Sequence, residues 1–142
     1  MSNELSISTQ SASGNLATIN PESESDRLML VAAVNAAESL NDYVAENGTD
    51  AAIRVRHIFT MDGIRKGRGQ GQEDVPCKNT YLVTTDGLSL MTQSDGIYRS
   101  ACAIVAAFPT LELEGEDGFP VRVQTKQLRN GNTIKSLVPC KG

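Results

Sequence analysis

Apolar side chains recur at helical spacing between residues 20 and 48, and beyond Gly48 the period shortens to two. Leu30, Val34, Ala37, Leu40 and Val44 make one stripe, which Leu28 and Val31 widen. Asn20-Pro21 supplies a cap followed by proline at the first helical position, and Glu22, Glu24 and Asp26 suit the positive end of a helix dipole. Asn47-Gly48 supplies a stop. The spacing predicts one amphipathic helix over about 21–47, with Glu38, Asp42 and Glu46 on its polar side. Residues 53–61 then alternate, with Ile53, Val55, Phe59 and Met61 on one face and Arg54, Arg56, Ile58 and Thr60 on the other. This predicts a strand with a basic outer face.

A glycine-rich basic segment, Gly63 to Gly71, leads into a β-prone run from Asn79 to Thr85, and Asp86-Gly87 joins that run to Leu88–Gln93 as a hairpin. Ser94-Asp95 caps the next element, where Ile97, Ala101, Ile104, Val105 and Phe108 form one helical stripe stopped by Pro109. An acidic linker, Glu112 to Gly118, precedes a second hairpin made of Pro120–Leu128 and Asn132–Val138. Its turn carries Asn130-Gly131, the pair preferred in type I′ turns. Residues 1–19 are rich in Ser, Thr, Asn and Gln with isolated apolar positions, a composition that predicts a flexible polar arm.

The predicted organisation is therefore an arm over 1–19, a helix over 20–48, and a mainly β domain over 49–142. Three strands, a helix and two more strands follow one another in that domain. This order resembles the OB-fold, a five-stranded Greek-key barrel, here with its helix between strands 3 and 4 and an N-terminal helix appended. A sandwich or an SH3-like barrel with an inserted helix fits the same pattern.

Charge changes the picture when it is read by position. The whole chain of 142 residues has a net charge of -4, which argues against a protein that neutralises phosphates. Residues 1–50, however, hold eight acids and a single base, Arg27, while the rest of the chain holds twelve bases and nine acids. The front is acidic and the body carries a net +3. No apolar run approaches the ~18 residues of a membrane span, and Met1-Ser-Asn-Glu-Leu lacks the start of a signal peptide. A cytoplasmic protein is expected.

Candidate enzyme chemistry lacks its parts. His57 is the one histidine and lies inside a strand pattern, with no nucleophile motif at a working distance. Cys77, Cys102 and Cys140 are too scattered for a zinc site or a disulfide framework. Gly67-Arg-Gly-Gln-Gly71 lacks the Gly-Lys-Ser/Thr ending of a phosphate loop. A non-enzyme with no cofactor and no metal is expected.

Positive charge on the strands and one loop is the feature left over. Arg54, Arg56, Arg65, Lys66 and Arg68 cluster around the first strand and the connection after it, and Lys78 follows in the next run. Arg122, Lys126 and Lys135 lie on the last hairpin, with Arg129 at its tip. In an OB-fold these two regions would flank one groove, a site suited to an unpaired strand whose bases stack on rings. The candidate rings are Phe59, Tyr81 and Tyr98, the last beside Arg99. Each has a bland alternative as core or surface, and the bases can serve solubility and edge protection.

The stretch Gly67-Arg-Gly-Gln-Gly-Gln-Glu-Asp-Val-Pro-Cys-Lys-Asn-Thr-Tyr-Leu-Val83, followed by Thr92-Gln-Ser-Asp-Gly-Ile-Tyr-Arg-Ser100, resembles the core of OB-fold single-stranded DNA-binding proteins of bacterial plasmids, conjugative elements and phages. That resemblance implies coating and protection of unpaired DNA during replication or transfer. It carries the site to the bases named above. The chain departs from housekeeping single-strand binders at its end, Leu-Val-Pro-Cys-Lys-Gly142, where they carry an acidic tail. Contact between copies through Leu28, Val31 and Val34 is expected of the N-terminal helix. RNA binding in the same groove, or capture of a host protein by the barrel edge, are the competing readings.

Overall fold

The computed structural model describes residues 16–18, 22–49, 51–67, 71, 73–108 and 118–140. Most of the arm, the Asn20-Pro21 cap, Arg68, Pro109 and most of the acidic linker lie outside the described residues. The elements in chain order are α1 (Glu24–Asn35), β1 (Glu38–Ser39), α2 (Leu40–Asn47), β2 (Ile53–Arg65), β3 (Val75–Thr84), β4 (Ser89–Thr92), α3 (Asp95–Ala107), β5 (Phe119–Gln127) and β6 (Thr133–Pro139). Among the described residues the fold is mixed α/β, a curled six-stranded half-barrel sheet with three helices. The strand order is β1-β4-β3-β2-β5-β6. All pairs are antiparallel except β1 with β4.

Six strands stand where five are expected, because the predicted N-terminal helix is broken. Between α1 and α2, Glu38 and Ser39 pair with Leu90 and Met91 at the edge of the sheet. Ser39 then caps α2, its hydroxyl accepting from the Asp42 backbone N–H. The break has a packing cause. Met29, Leu30, Ala33 and Val34 of α1 pack on one face of the sheet with Tyr81 and Val83, whereas Leu40, Tyr43 and Val44 of α2 join the core on the other face. A straight helix cannot reach both faces, so the chain turns round the β4 edge through β1. The extra strand also moves α3, which stands between the fourth and fifth strands.

A second difference lies in β2. The register slips between Val55 and His57 at a bulge, so strict alternation fails there. Ile53, Val55 and Ile58 share the inner face, and Phe59 turns to the outer one. Ile58, expected among the basic outer positions, is core. The inner cluster is completed by Leu82, Leu90, the α3 stripe Ile97, Ala101, Ile104 and Val105, and Phe119, Val121, Val123 and Leu137 from β5 and β6.

Residues 16–18, the described end of the predicted arm, lie along β2. Thr18 N–H donates to the Ile58 carbonyl and Thr60 N–H to the Leu16 carbonyl, both at 3.0 Å. Leu16 and Thr18 are buried. This strap covers the later part of the β2 edge, while β5 pairs with the earlier part at Ile53–Val55.

Both predicted hairpins form, with a different turn at the second. Within this turn Gly131 takes a positive φ, of 86°, and Asn130 does not, which excludes a type I′ turn at Asn130-Gly131. Gly131 N–H instead donates to the Leu128 carbonyl, and Leu128 N–H to the Asn132 carbonyl. This is a type I turn closed by a left-handed glycine.

The last strand is linked to the helices beyond the opposite edge rather than paired with another strand there. At the N-terminus of α3, Gly96 lies so close to the Lys135 carbonyl oxygen of β6 that a Cβ there would collide with it. Lys135 Nζ donates to Asn41 Oδ1 of α2, 2.8 Å away. α3 therefore fills the gap between β6 and the opposite edge.

Candidate nucleic-acid interface

The candidate bases separate into two groups. Those near the β2–β3 connection are engaged by carboxylates. Arg65 reaches Asp95 at 3.4 Å and also donates to the Gln93 carbonyl. Lys66 lies 3.5 Å from Asp74, whose other carboxylate oxygen accepts from the Gly67 N–H. Lys78 pairs with Asp62 directly across the β2–β3 ladder. These are exposed or half-exposed pairs of small energetic weight, yet they leave less positive charge free than the sequence alone suggests.

The second group lies on the outer face of β2 and β5. Ile53, Val55, Val121 and Val123 point inward, so Arg54 and Arg122 point outward, and Arg54 stands opposite Pro120 in the ladder. Arg56 is exposed at the bulge. Lys126 continues the outward row along β5, and Arg129 is exposed in the turn beyond it. None of residues 53–61, 119–127 or 133–139 is Asp or Glu. The result is a basic face whose strand segments 53–61 and 119–127 hold no carboxylate, with Arg54 and Arg122 sixty-eight positions apart in sequence. Lys135 is separate from it, turned toward Asn41, and Arg99 is exposed on α3.

The rings do not present themselves to solvent. Phe59 and Tyr81 are a directly opposed cross-strand pair, stacked with centroids 4.7 Å apart and planes 10° from parallel. They are only 1% and 5% exposed, beneath α1. In this conformation neither offers a face to a base. Tyr98 is half-buried on α3, and its phenol is pushed above the ordinary 10.0 by burial first, then by its hydrogen bond with Cys102 and by the charges of Cys102 and Asp62.

The structure adds a groove that the sequence did not mark. It encloses about 930 Å³ between the end of the β2–β3 hairpin and the β1–α2 junction. Arg65 and Lys66 line it together with Glu38 and Glu73, so its charge is mixed. Gln93 forms part of its wall, with Nε2 donating to Asn79 Oδ1 at 3.0 Å and to the Ile64 carbonyl at 3.3 Å. Gln93 lies in the Thr92–Ser100 stretch that carries the resemblance, but its place in this wall has no sequence signal, because its contacts come from residues fourteen and twenty-nine positions away.

Among the described residues, no three His, Cys, Asp or Glu side chains gather as metal ligands, and no helix is long and apolar enough to cross a membrane. Compared with protein-family models, with curated proteins and with solved structures, the chain matches none.

Proposed function

We propose that the chain is a non-catalytic single-stranded DNA-binding protein of a mobile element, coating unpaired DNA with little sequence preference. The observation that carries this reading is the basic outer face of β2 and β5 that brings Arg54, Arg56, Arg122 and Lys126 together, with Arg129 at its end. Such a face tracks phosphates without reading base edges. The strand order supports the same reading. Set aside β1, and number the remaining strands from β2: the order is then third, second, first, fourth, fifth. That is the order of a five-stranded OB barrel opened between its third and fifth strands, with α3 at the opening. Leu28 and Val31, 63% and 55% exposed on α1, offer an apolar contact between copies along a strand.

Fluorescence anisotropy with labelled oligothymidine, oligouridine and duplex DNA across a salt series tests the reading. Oligothymidine should bind more tightly than duplex, and its affinity should fall by about 0.7 in log-log slope for each phosphate contacted. The double variant Arg54→Glu/Arg56→Glu should bind at least tenfold more weakly with a shallower slope, whereas Arg65→Glu/Lys66→Glu should have the smaller effect. Salt-insensitive or absent binding at low ionic strength rejects the proposal. Preference for oligouridine would redirect it to RNA.

A further inference from the structure

The outer face of the sheet is divided between two surfaces. Toward the start of β2 lie half-buried Arg54 and exposed Arg56, and five residues beyond Arg54, on the same strand and face, lies Phe59 against Tyr81. The arginines reach solvent, whereas the rings lie beneath α1, through Met29, Leu30, Ala33 and Val34, with Ala17, Ala37 and Met91 packed beside them.

That helix is held by little. Of its twelve residues only Ala33 is buried, and Leu28 and Val31 project into solvent. It belongs to a small outer cluster of four buried residues, Ala33, Phe59, Tyr81 and Val83, separate from the fifteen-residue inner core. Its flanks are anchored independently. Residues 16–18 are bonded to β2, and Glu38–Ser39 are paired with β4. Moving α1 off the sheet would dismantle the outer cluster and leave the inner core, both anchors and the arginine face in place. The first turn of α1 is also acidic, through Glu24 and Asp26. A negative helix end is a poor neighbour for an incoming phosphate chain.

We propose that α1 is a displaceable lid over a two-ring stacking platform, Phe59 and Tyr81, and that an unpaired strand bound along the arginine face displaces it. This rests on the single-strand-binding reading above. Closed, the protein holds the strand by phosphate contacts alone; open, bases stack on the two rings, and the affinity rises. The lid thus lowers the apparent affinity by the fraction of time the platform is covered.

Two aspartate substitutions on the same helix separate lid opening from added charge. Ala33→Asp places a carboxylate against the rings when the lid is closed and should lift α1. Ala32→Asp adds the same charge at an exposed position of α1 and should leave the helix seated. Hydrogen exchange over residues 24–35 and 79–84 reports the lid, and anisotropy with oligothymidine reports binding. Ala33→Asp is expected to exchange faster in both segments and to bind about tenfold more tightly than the native chain, while Ala32→Asp should bind as the native chain does or slightly more weakly. Native protein needs no substitution for the second arm: saturating oligothymidine should accelerate exchange in residues 24–35 while protecting β2. An opened Ala33→Asp that binds no tighter, or native α1 whose exchange slows or stays constant on binding, overturns the lid while the single-strand reading stands. If neither native protein nor Ala33→Asp binds oligothymidine, both proposals fall.

Discussion

Gly96 offers a test in which two physical rules predict opposite signs. It is the second residue of α3, and alanine in a helix is ordinarily favoured over glycine by about 1 kcal/mol. A Cβ at this position, however, would lie within bonding-clash distance of the Lys135 carbonyl oxygen and 3.0 Å from Ile134 Cγ1. The obstacle is backbone in β6, so no rotamer change relieves it. Relief requires α3 and β6 to separate by roughly 1 Å, which strains a packed seam at about 1–3 kcal/mol. If that opens about 100 Å² of apolar contact, a further ~2.5 kcal/mol is lost at about 25 cal/mol per Å². Set against the helix gain, Gly96→Ala should destabilise the fold by about 3 kcal/mol. With a urea m-value of about 2 kcal/mol/M, the unfolding midpoint should drop by about 1.5 M. Gly63→Ala is the matched control. Its new Cβ would meet the Asn79 side-chain amide, which can swing away for about the ~1 kcal/mol of its hydrogen bond to Gln93. A Gly96→Ala midpoint equal to or above the native one would refute the close approach of α3 to β6 and the closure of the half-barrel argued from it.

Two further expectations follow from buried contacts. Thr18 Oγ1 accepts from the Ile58 backbone N–H at 3.0 Å and lies 3.4 Å from His57 Nδ1, so Thr18→Val leaves a buried donor without its partner. Its cost should be about 1–3 kcal/mol by urea denaturation, and an unchanged midpoint would mean that the strap adds nothing to the fold. The Tyr98 phenol, held above 10.0 by burial and by Cys102, keeps a proton in the folded state that the unfolded chain gives up. Its contribution to stability is therefore full below pH 10 and fades as pH rises through the folded value. Phenolate absorbance should show a late-titrating component that Tyr98→Phe removes, and a titration curve unchanged above pH 10 by that substitution would contradict the assignment.

Much of the β domain was legible because its signals are local. Asp86-Gly87 and Asn130-Gly131 each sit between β-prone runs, and both hairpins form around them. The Ser94 cap of α3 and the inward Ile97, Ala101, Ile104 and Val105 were visible in the spacing, whereas Phe108, expected in the same stripe, stands at the helix C-cap, partly exposed beside Phe119. The turn type at Asn130 was missed because an Asn-Gly pair is also compatible with a type I turn closed by glycine, and strand twist beyond the turn decides between them. The basic outer face was read in part: Arg54 and Arg122 were named, but their junction depends on β2 pairing with β5 at Ile53–Val55, a contact no spacing encodes.

The larger departures share one cause. A helical period over residues 28–44 and a two-residue period over 53–61 are each regular enough to continue, and both are interrupted where the chain must change faces of the sheet. At Glu38–Ser39 the chain passes round the β4 edge, so apolar residues on either side of one apparent stripe end in different clusters. At the bulge near Arg56 the alternation shifts by one, which carries Ile58 into the core and Phe59 out beneath α1. These two interruptions are coupled. Phe59 reaches the outer face only because of the bulge, and α1 covers that face only because it ends before the chain crosses to α2. Restoring strict alternation in β2 would put Phe59 among the inner residues and leave α1 without the ring it rests on. The pairing of lid and platform is therefore a product of two local irregularities, each invisible to periodicity, that have structural meaning only together.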